Sequence, residues 1–556
     1  MFRRRLFQLK NGVVIKGGYP GLGSPDPNAR NLSVYQSILS GDLAENDGPD
    51  FGNTGDNSYH VVTASSVDAT ALLDGFTITA GYADGSGDRD RGGGLYNFFS
   101  SPTVNNCVFV RNYAAYGGGM CNRGASNPVV RNCTFQGNAA DWSGGGVGNY
   151  TGSNPEMANC QFTWNSADNY GGGMYTSEGS PRLQSCRFWG NSAGYDGGGI
   201  YYYRSTNAIA SDCVFTRNSA RSGGGVYLDY TSRLVASNCR FNENFSVSDG
   251  GAMYCEDSEA SLIGCTFNHN RAASDGGGLY NDNSKSVMVN CSFTGNWANG
   301  RGGGTYNLGS HSKPPGPVLT NCVFSANVGY YGGAVYMEDH SGSTVTNCTL
   351  AHNLAHVGGA MHSNNATQVT ICNSILWGND AYYGAQIALA ANSSLSVRYS
   401  DVEDGEKGVY VTGASTLNWG LRNITSAPEF VDPNGPDGTI GTEDDNVRIL
   451  SGSPCIDAAD NTSVPTDALD LDGDGNTFER IAVDLDWNPR FVEDPATPDT
   501  GNGTPPIADM GAYEYGTGVC GDKAHPYPKG DLDQNCVVDL RDFALFSSQW
   551  LETTSP

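Results

Sequence analysis

The sequence predicts an all-β protein wound as a right-handed parallel β-helix, a solenoid of about 26 residues per turn. Three observations carry that expectation. A unit of 26 or 27 residues recurs along most of the chain. Identical residues fall at the same place in successive units, and glycine pairs or triplets separate them. Self-similarity at such a period is the signature of stacked architectures, in which one unit buries its apolar face only against its neighbours.

The stretch "NCVFSANVGYYGGAVY", Asn321 to Tyr336, shows the unit. Aligned on its second Asn, it recurs at Asn112, Asn138, Asn165, Asn191, Asn218, Asn244, Asn270, Asn296, Asn327, Asn353 and Asn379. One step is 31 residues, where "SHSKPPGP" lengthens a loop. Three residues before each Asn stands Phe109 through Phe324, then Leu350 and Leu376. Five before stands Cys107 through Cys348, then Ser374. Eight before is apolar throughout, from Val104 through Leu262 to Ile371.

Residues two apart share one face of a strand, so the Cys and Phe columns point inward together. The residue between them varies freely (Val108, Arg187, Thr349) and points out. A second strand follows the glycines, with Leu95, Met174, Ile200 and Val335 inward, and the eight-before column marks a third. Residues 13–81 read as earlier, degenerate turns. Each residue type suits stacking on its own copy. Phe stacks on Phe, Asn bonds the backbone and the next Asn at a corner, and glycine turns without a Cβ clash. Cys serves as a small hydrophobe. A straight column cannot surround a metal ion, and in-register side chains give poor disulfide dihedrals, so buried free thiols are expected.

Composition excludes some functions. With 58 acidic against 31 basic residues the net charge is -27, which repels nucleic-acid phosphates. No apolar run approaches the roughly 20 residues of a membrane-spanning helix. The N-terminal "MFRRRLFQLKNGVVIKGGYPG" has a basic patch but no apolar core of a signal peptide. The natural start, with a secretion signal, is expected to lie outside this chain, and the protein to be extracellular or at the cell surface.

The repeats quoted as "GGGMY…FWGN" and "GGGIYYY…FTRN" resemble those of chlamydial polymorphic outer-membrane proteins over about residues 90–380. That resemblance implies a β-helix passenger acting as a surface adhesin. The C-terminal membrane barrel of those proteins has no counterpart here, so autotransport is not implied.

Four regions follow: degenerate coils at 1–90, the regular β-helix at 91–400, an Asp/Pro/Gly-rich module at 401–516 and a final segment at 517–556. In the module, "PNGPDGTIGTEDDN" gathers Asp437, Glu443, Asp444 and Asp445 around glycines. "DLDGDGN" sets Asp470, Asp472 and Asp474 at alternate positions, the first half of a calcium-binding loop. Ile481 stands where a bidentate acid belongs, so Asp484 or Asp486 is expected to complete the site. The final "KGDLDQNCVVDLRDFALFSSQW" places Asp531, Asp533, Asn535, Asp539 and Asp542 at loop positions 1, 3, 5, 9 and 12 ahead of an apolar helix. It resembles one repeat of a type I dockerin, which implies Ca2+ binding and a cohesin-like scaffold as partner. Cys536 replaces the usual glycine and the second repeat is lacking, which separates calcium binding from docking. Cys520 is near enough in sequence to pair with Cys536 after export.

Parallel β-helices host pectate lyases and related enzymes, so columns of outer-face acids are candidate catalytic groups by analogy. The residue before the glycines reads Asp196, Ser222, Asp249, Asp275 and Arg301, and the residue two after the Tyr column reads Asp229, Glu256 and Asp282. Their regularity argues for solvated corners, since an active site usually breaks a repeat. Tyr175, Tyr201, Tyr227, Tyr254, Tyr280, Tyr306 and Tyr336 follow inward residues, so each should point out and form a strip for a polysaccharide or a surface protein. The expected function is binding or adhesion. The alternative is a polysaccharide lyase or glycoside hydrolase acting on acidic polysaccharide.

Overall fold

A computed structural model describes residues 7–310 and 316–516. The loop Asp531, Asp533, Asn535, Asp539 and Asp542, with Cys520 and Cys536, lies outside the described residues.

Most coils contribute four strands. In one coil these are Leu95–Phe98, Thr103–Asn105, Val108–Val110 and Tyr113–Tyr116. They belong respectively to what we call the Gly–Tyr, connecting, Cys–Phe and corner sheets. Strands at one position in successive coils pair in parallel, giving sheets of 15, 15, 14 and 9 strands. Register places like on like: Phe109 opposite Phe135, Tyr201 opposite Tyr227. The coil continues beyond residue 400, to the strand Thr416–Trp419.

The inward columns form one continuous core. Phe109 through Phe324 are at most 1% exposed. Their rings stack with centroids 4.4–5.0 Å apart and planes within 10° of parallel, the spacing that strand pairing imposes. Burying each side chain contributes about 1.5–3 kcal/mol. The Cys column is buried and free of disulfides, as expected. Its thiols turn toward carbonyl oxygens, Cys133 Sγ lying 3.2 Å from Arg131 O. Burial holds thiols such as Cys133 and Cys291 above their ordinary range.

A ladder of asparagines fixes one corner. The amide N–H and the Nδ2 of Asn112 both donate to Oδ1 of Asn138, at 3.0 and 3.1 Å, while Asn138 Nδ2 donates to Phe109 O at 2.9 Å. The pattern repeats coil by coil to Asn379, and the side chains are buried. A second ladder, not anticipated from sequence, runs Asn97 to Asn122 to Asn149 inside the Gly–Tyr sheet at 2.7 and 2.8 Å. At the glycine corner Gly197 has φ +69°, and a Cβ on Gly198 would stand 2.4 Å from Gly224 O. Neither position accepts a side chain.

Residues 420–516 fold back as an arm over the outer face of the later Cys–Phe strands. Docking uses the corner asparagines that precede the Cys column, whose left-handed conformation turns their amides outward (Asn321 has φ +51°). Asn373 Nδ2 donates to Asp460 O at 3.0 Å and its Oδ1 accepts the Asp460 amide at 2.8 Å. Asn321 and Asn290 donate to Val483 O and Asp484 O at 2.7 and 2.6 Å. Antiparallel strand pairing occurs in this arm, between Phe430–Asp432 and Asn446–Ile449.

Replacing Asn244 with Ala leaves the Asn218 amide N–H without its acceptor and removes the side-chain bonds from Asn218 Nδ2 and to Phe215 O in a dry corner. Asn244→Ala should destabilise the protein by about 2–4 kcal/mol. Urea denaturation should show this loss, whereas the outward Thr216→Ala should stay within about 0.5 kcal/mol of wild type.

Candidate functional site

The Tyr column does point away from the coil axis, but it does not form an exposed strip. Tyr201, Tyr227, Tyr280, Tyr306 and Tyr336 are 2–9% exposed, and Tyr175 and Tyr254 are half-buried. The rings stack in one continuous pile from Tyr175 to Tyr336, with centroids 4.4–5.5 Å apart. Three hydroxyls are occupied by acids of the following coil. Tyr201 donates to Asp229, Tyr227 to Glu256 at 2.6 Å and Tyr306 to Glu338 at 2.7 Å. Rings from the corner close the side, Tyr170 lying 4.8 Å from Tyr201. Stacking that fills both ring faces leaves nothing for a ligand to cover.

The acids before the glycines divide into two kinds. Asp249 Oδ1 accepts the Asp275 amide at 3.1 Å, and Asp275 Oδ1 accepts the Arg301 amide at 2.7 Å. These carboxylates cap the next coil. Arg301 pairs with Glu338 at 2.6 Å and lies over the Tyr336 ring. Asp249, Asp275 and Arg301 are therefore satisfied within the wall. Asp196 differs. Burial pushes its pKa up to about 7, with Arg221 pulling it down and Asp229 and Glu256 pushing it further up. Burial also raises Asp229.

One open outer face lies on the Cys–Phe sheet. Where the arm meets it, a cleft of about 460 Å³ opens between Arg240, Asn268, Thr294 and Ser325 on the sheet and Glu443 and Asp445 on the arm. Asn268 Nδ2 donates to Glu443 at 2.9 Å across it. Burial raises the pKa of Asp445, against the Gly441 amide. The acidic loop singled out in the sequence thus forms the outer wall.

Beyond the arm the same face carries Trp164 and Trp189, 56% and 39% exposed, with ring centroids 4.7 Å apart. Trp189, Thr216, Asn242 and Asn268 are register partners in successive coils. Trp189 therefore stands about 14 Å up one column from Asn268 in the cleft, at roughly 4.8 Å per coil, with Trp164 beside it at the neighbouring turn position. Trp164 holds a left-handed conformation, φ +54°, that bulky residues rarely adopt. Gly190 makes room for it, since a Cβ there would meet the indole at 2.7 Å. Sequence reading passed over both rings because they occupy freely varying outward positions. The available signal was Trp164 in a turn directly before the ladder residue Asn165.

In the arm, carboxylate oxygens of Asp470, Asp472 and Asp474 come within 4.8 Å of one another. A second group joins Asp472 to Glu479 and the buried Asp467. The expected completion by Asp484 or Asp486 does not occur. Asp484 accepts the amides of Asn488 and Glu514, and Asp486 pairs with Arg448 at 2.6 Å. Folding brings Asp467 and Glu479 there instead.

These elements define a parallel repeat solenoid that offers long outer faces rather than one enclosed pocket. The chain belongs to the right handed beta helix region family, whose overlapping matches cover residues 56–194, 96–252, 222–373 and 254–425. Among solved structures it is similar to one titled "Crystal structure of pectate lyase Pel9A", at 13% identity over 72% of this chain and 89% of that chain, with a TM-score of 0.38. No curated protein matches. Among the described residues no helix is long and apolar enough to cross a membrane.

Asp196 gives a pH dependence with a defined sign. Its raised pKa favours the protonated form in the folded state. The stability this confers is complete below the unfolded value near 3.8 and is lost as pH rises through about 7. Asp196→Asn should therefore be more stable than wild type at pH 8, with the two converging toward pH 4, read as urea midpoints.

Proposed function

We propose that the protein binds an extended, uncharged polysaccharide along the outer face of the Cys–Phe sheet. The observation that carries this reading is the open polar cleft in register with the exposed Trp189, which packs against the exposed Trp164. Indole faces suit the apolar faces of sugar rings, and the amide, hydroxyl and carboxylate groups of the cleft suit sugar hydroxyls. A net charge of -27 disfavours a polyanionic chain, so a neutral glycan is the better fit.

The setting we infer is extracellular or at the cell surface, with adhesion as the role. Two acidic loops are the proposed Ca2+ sites. One is Asp470, Asp472 and Asp474, extended by Asp467 and Glu479. The other is the dockerin-like loop Asp531, Asp533, Asn535, Asp539 and Asp542, which on this reading tethers the protein to a surface or a cohesin-like scaffold.

One observation favours catalysis instead. Asp196, half-buried beside Asp229 and Glu256, has the raised pKa of a general acid. A lyase or hydrolase would then use the edge of the Gly–Tyr sheet.

Affinity electrophoresis through gels containing neutral polysaccharides separates the two. Replacing Trp164 and Trp189 together by Ala should weaken retardation about tenfold or more, the loss of two stacking contacts. Tyr227→Phe, which keeps the ring and removes only its hydroxyl, should leave retardation unchanged. If the double Trp variant binds as wild type, while Asp196→Asn abolishes measurable turnover, the catalytic reading replaces this one.

A further inference from the structure

We propose that Asp457, Glu493 and Asp499 form a calcium site in the arm, separate from the acidic turn at 470–474. It stands apart from the polysaccharide reading, since none of the three lines the cleft.

Asp457 is fully buried. It follows Cys455 and Ile456 and precedes Ala458 and Ala459, all members of the arm's apolar cluster. Its backbone is held on both sides. The amide donates to Asp509 Oδ1 at 2.7 Å, and the carbonyl accepts the amides of Thr500 and Gly501 at 2.9 and 3.0 Å. A left-handed conformation, φ +51°, completes the fixing. The carboxylate is therefore aimed by the chain rather than by bonds of its own. Neither of its oxygens makes a hydrogen bond of good geometry, and the one donor acting on it is the Asp494 backbone amide.

A buried, unpartnered carboxylate is costly unless an opposite charge or strong donors meet it. The side chains bearing on Asp457 are instead acids, Glu493, Asp499 and Asp494. Asp494 is turned into its own loop, where it accepts the Ala496 amide at 3.1 Å and the Thr497 hydroxyl at 2.7 Å. Glu493 and Asp499 remain, both exposed. One carboxylate oxygen from each converges with one from Asp457, all within 4.8 Å of one another.

That spacing admits a calcium ion. Oxygens bound to one ion at about 2.3–2.6 Å lie at most about 5 Å apart, which is the calcium range. Magnesium holds its oxygens closer and in stricter geometry. One buried wall and two exposed acids make a half-open site, suited to the weaker affinities, about 10⁻⁴–10⁻³ M, of extracellular modules. A bound ion would tie the 493–501 loop to the arm's core through Asp457.

Calcium chloride titrated into the full chain at pH 7.5 tests this by calorimetry. A background carrying Asp472→Asn and Asp531→Ala removes the other two acidic loops. In that background one saturable binding event should remain, and Glu493→Gln with Asp499→Asn should abolish it. Both changes are at exposed positions, so folding is kept, and circular dichroism confirms it. Limited proteolysis gives a second readout. Calcium should slow cleavage within 493–501 at least tenfold in the background protein and not in the quadruple variant. Binding that persists unchanged in the quadruple variant, or the absence of any binding in the background, overturns the proposal and leaves Asp457 held by a proton.

Discussion

A strand of this protein has no partner within its own coil. Its backbone donors and acceptors are met by the same strand one coil earlier and one coil later, in parallel register. Everything else follows from that constraint. A side chain then faces its own copy at about 4.8 Å, so the residue chosen must be one that tolerates itself. Phe, Cys, Tyr and Asn each do so by a different route: ring stacking, small apolar volume, stacking with the hydroxyl capped, and a self-complementary amide. The Asn ladder adds direction to the stack, because each amide both donates to and accepts from its neighbours.

Function is best sought where the self-matching stops. The Tyr and corner-acid columns are the most regular outer features, and they are consumed by the wall itself. The irregular features remain open. Trp189 interrupts an outward column of small polar residues with Trp164 packed beside it, and the arm covers the later coils of the same sheet. The edge of that cover makes a concavity that combines sheet and arm. The arm, having no repeat to satisfy it, relies on outward corner amides for docking and keeps buried charge. Arg490 is buried with Glu514 at 3.9 Å and donates to the carbonyl of Asp509.

Most of the coil could be read from the sequence, because a column declares both its spacing and its inward or outward sense. Cys107 through Cys348 and Phe109 through Phe324 sit where period and alternation put them. Less could be read of the Tyr column. Alternation gave its direction correctly, but burial depended on Tyr170 and Glu256, which come from other parts of the coil and from the next coil. The arm was invisible as a packed element, since its contacts run from Asn373 to Asp460 and from Asn321 to Val483 without any shared pattern. Asp457 lies in an ordinary-looking "SPCIDA", and only the fold brings Glu493 and Asp499 to it.

Hydrogen–deuterium exchange with and without a neutral oligosaccharide that the protein retains tests most directly where recognition resides. Protection should concentrate in peptides covering 161–190, 240–268 and 441–447, the tryptophan pair and the two walls of the cleft. Protection confined instead to the Gly–Tyr sheet around 196–229 and 254–282, with those peptides unchanged, would contradict it.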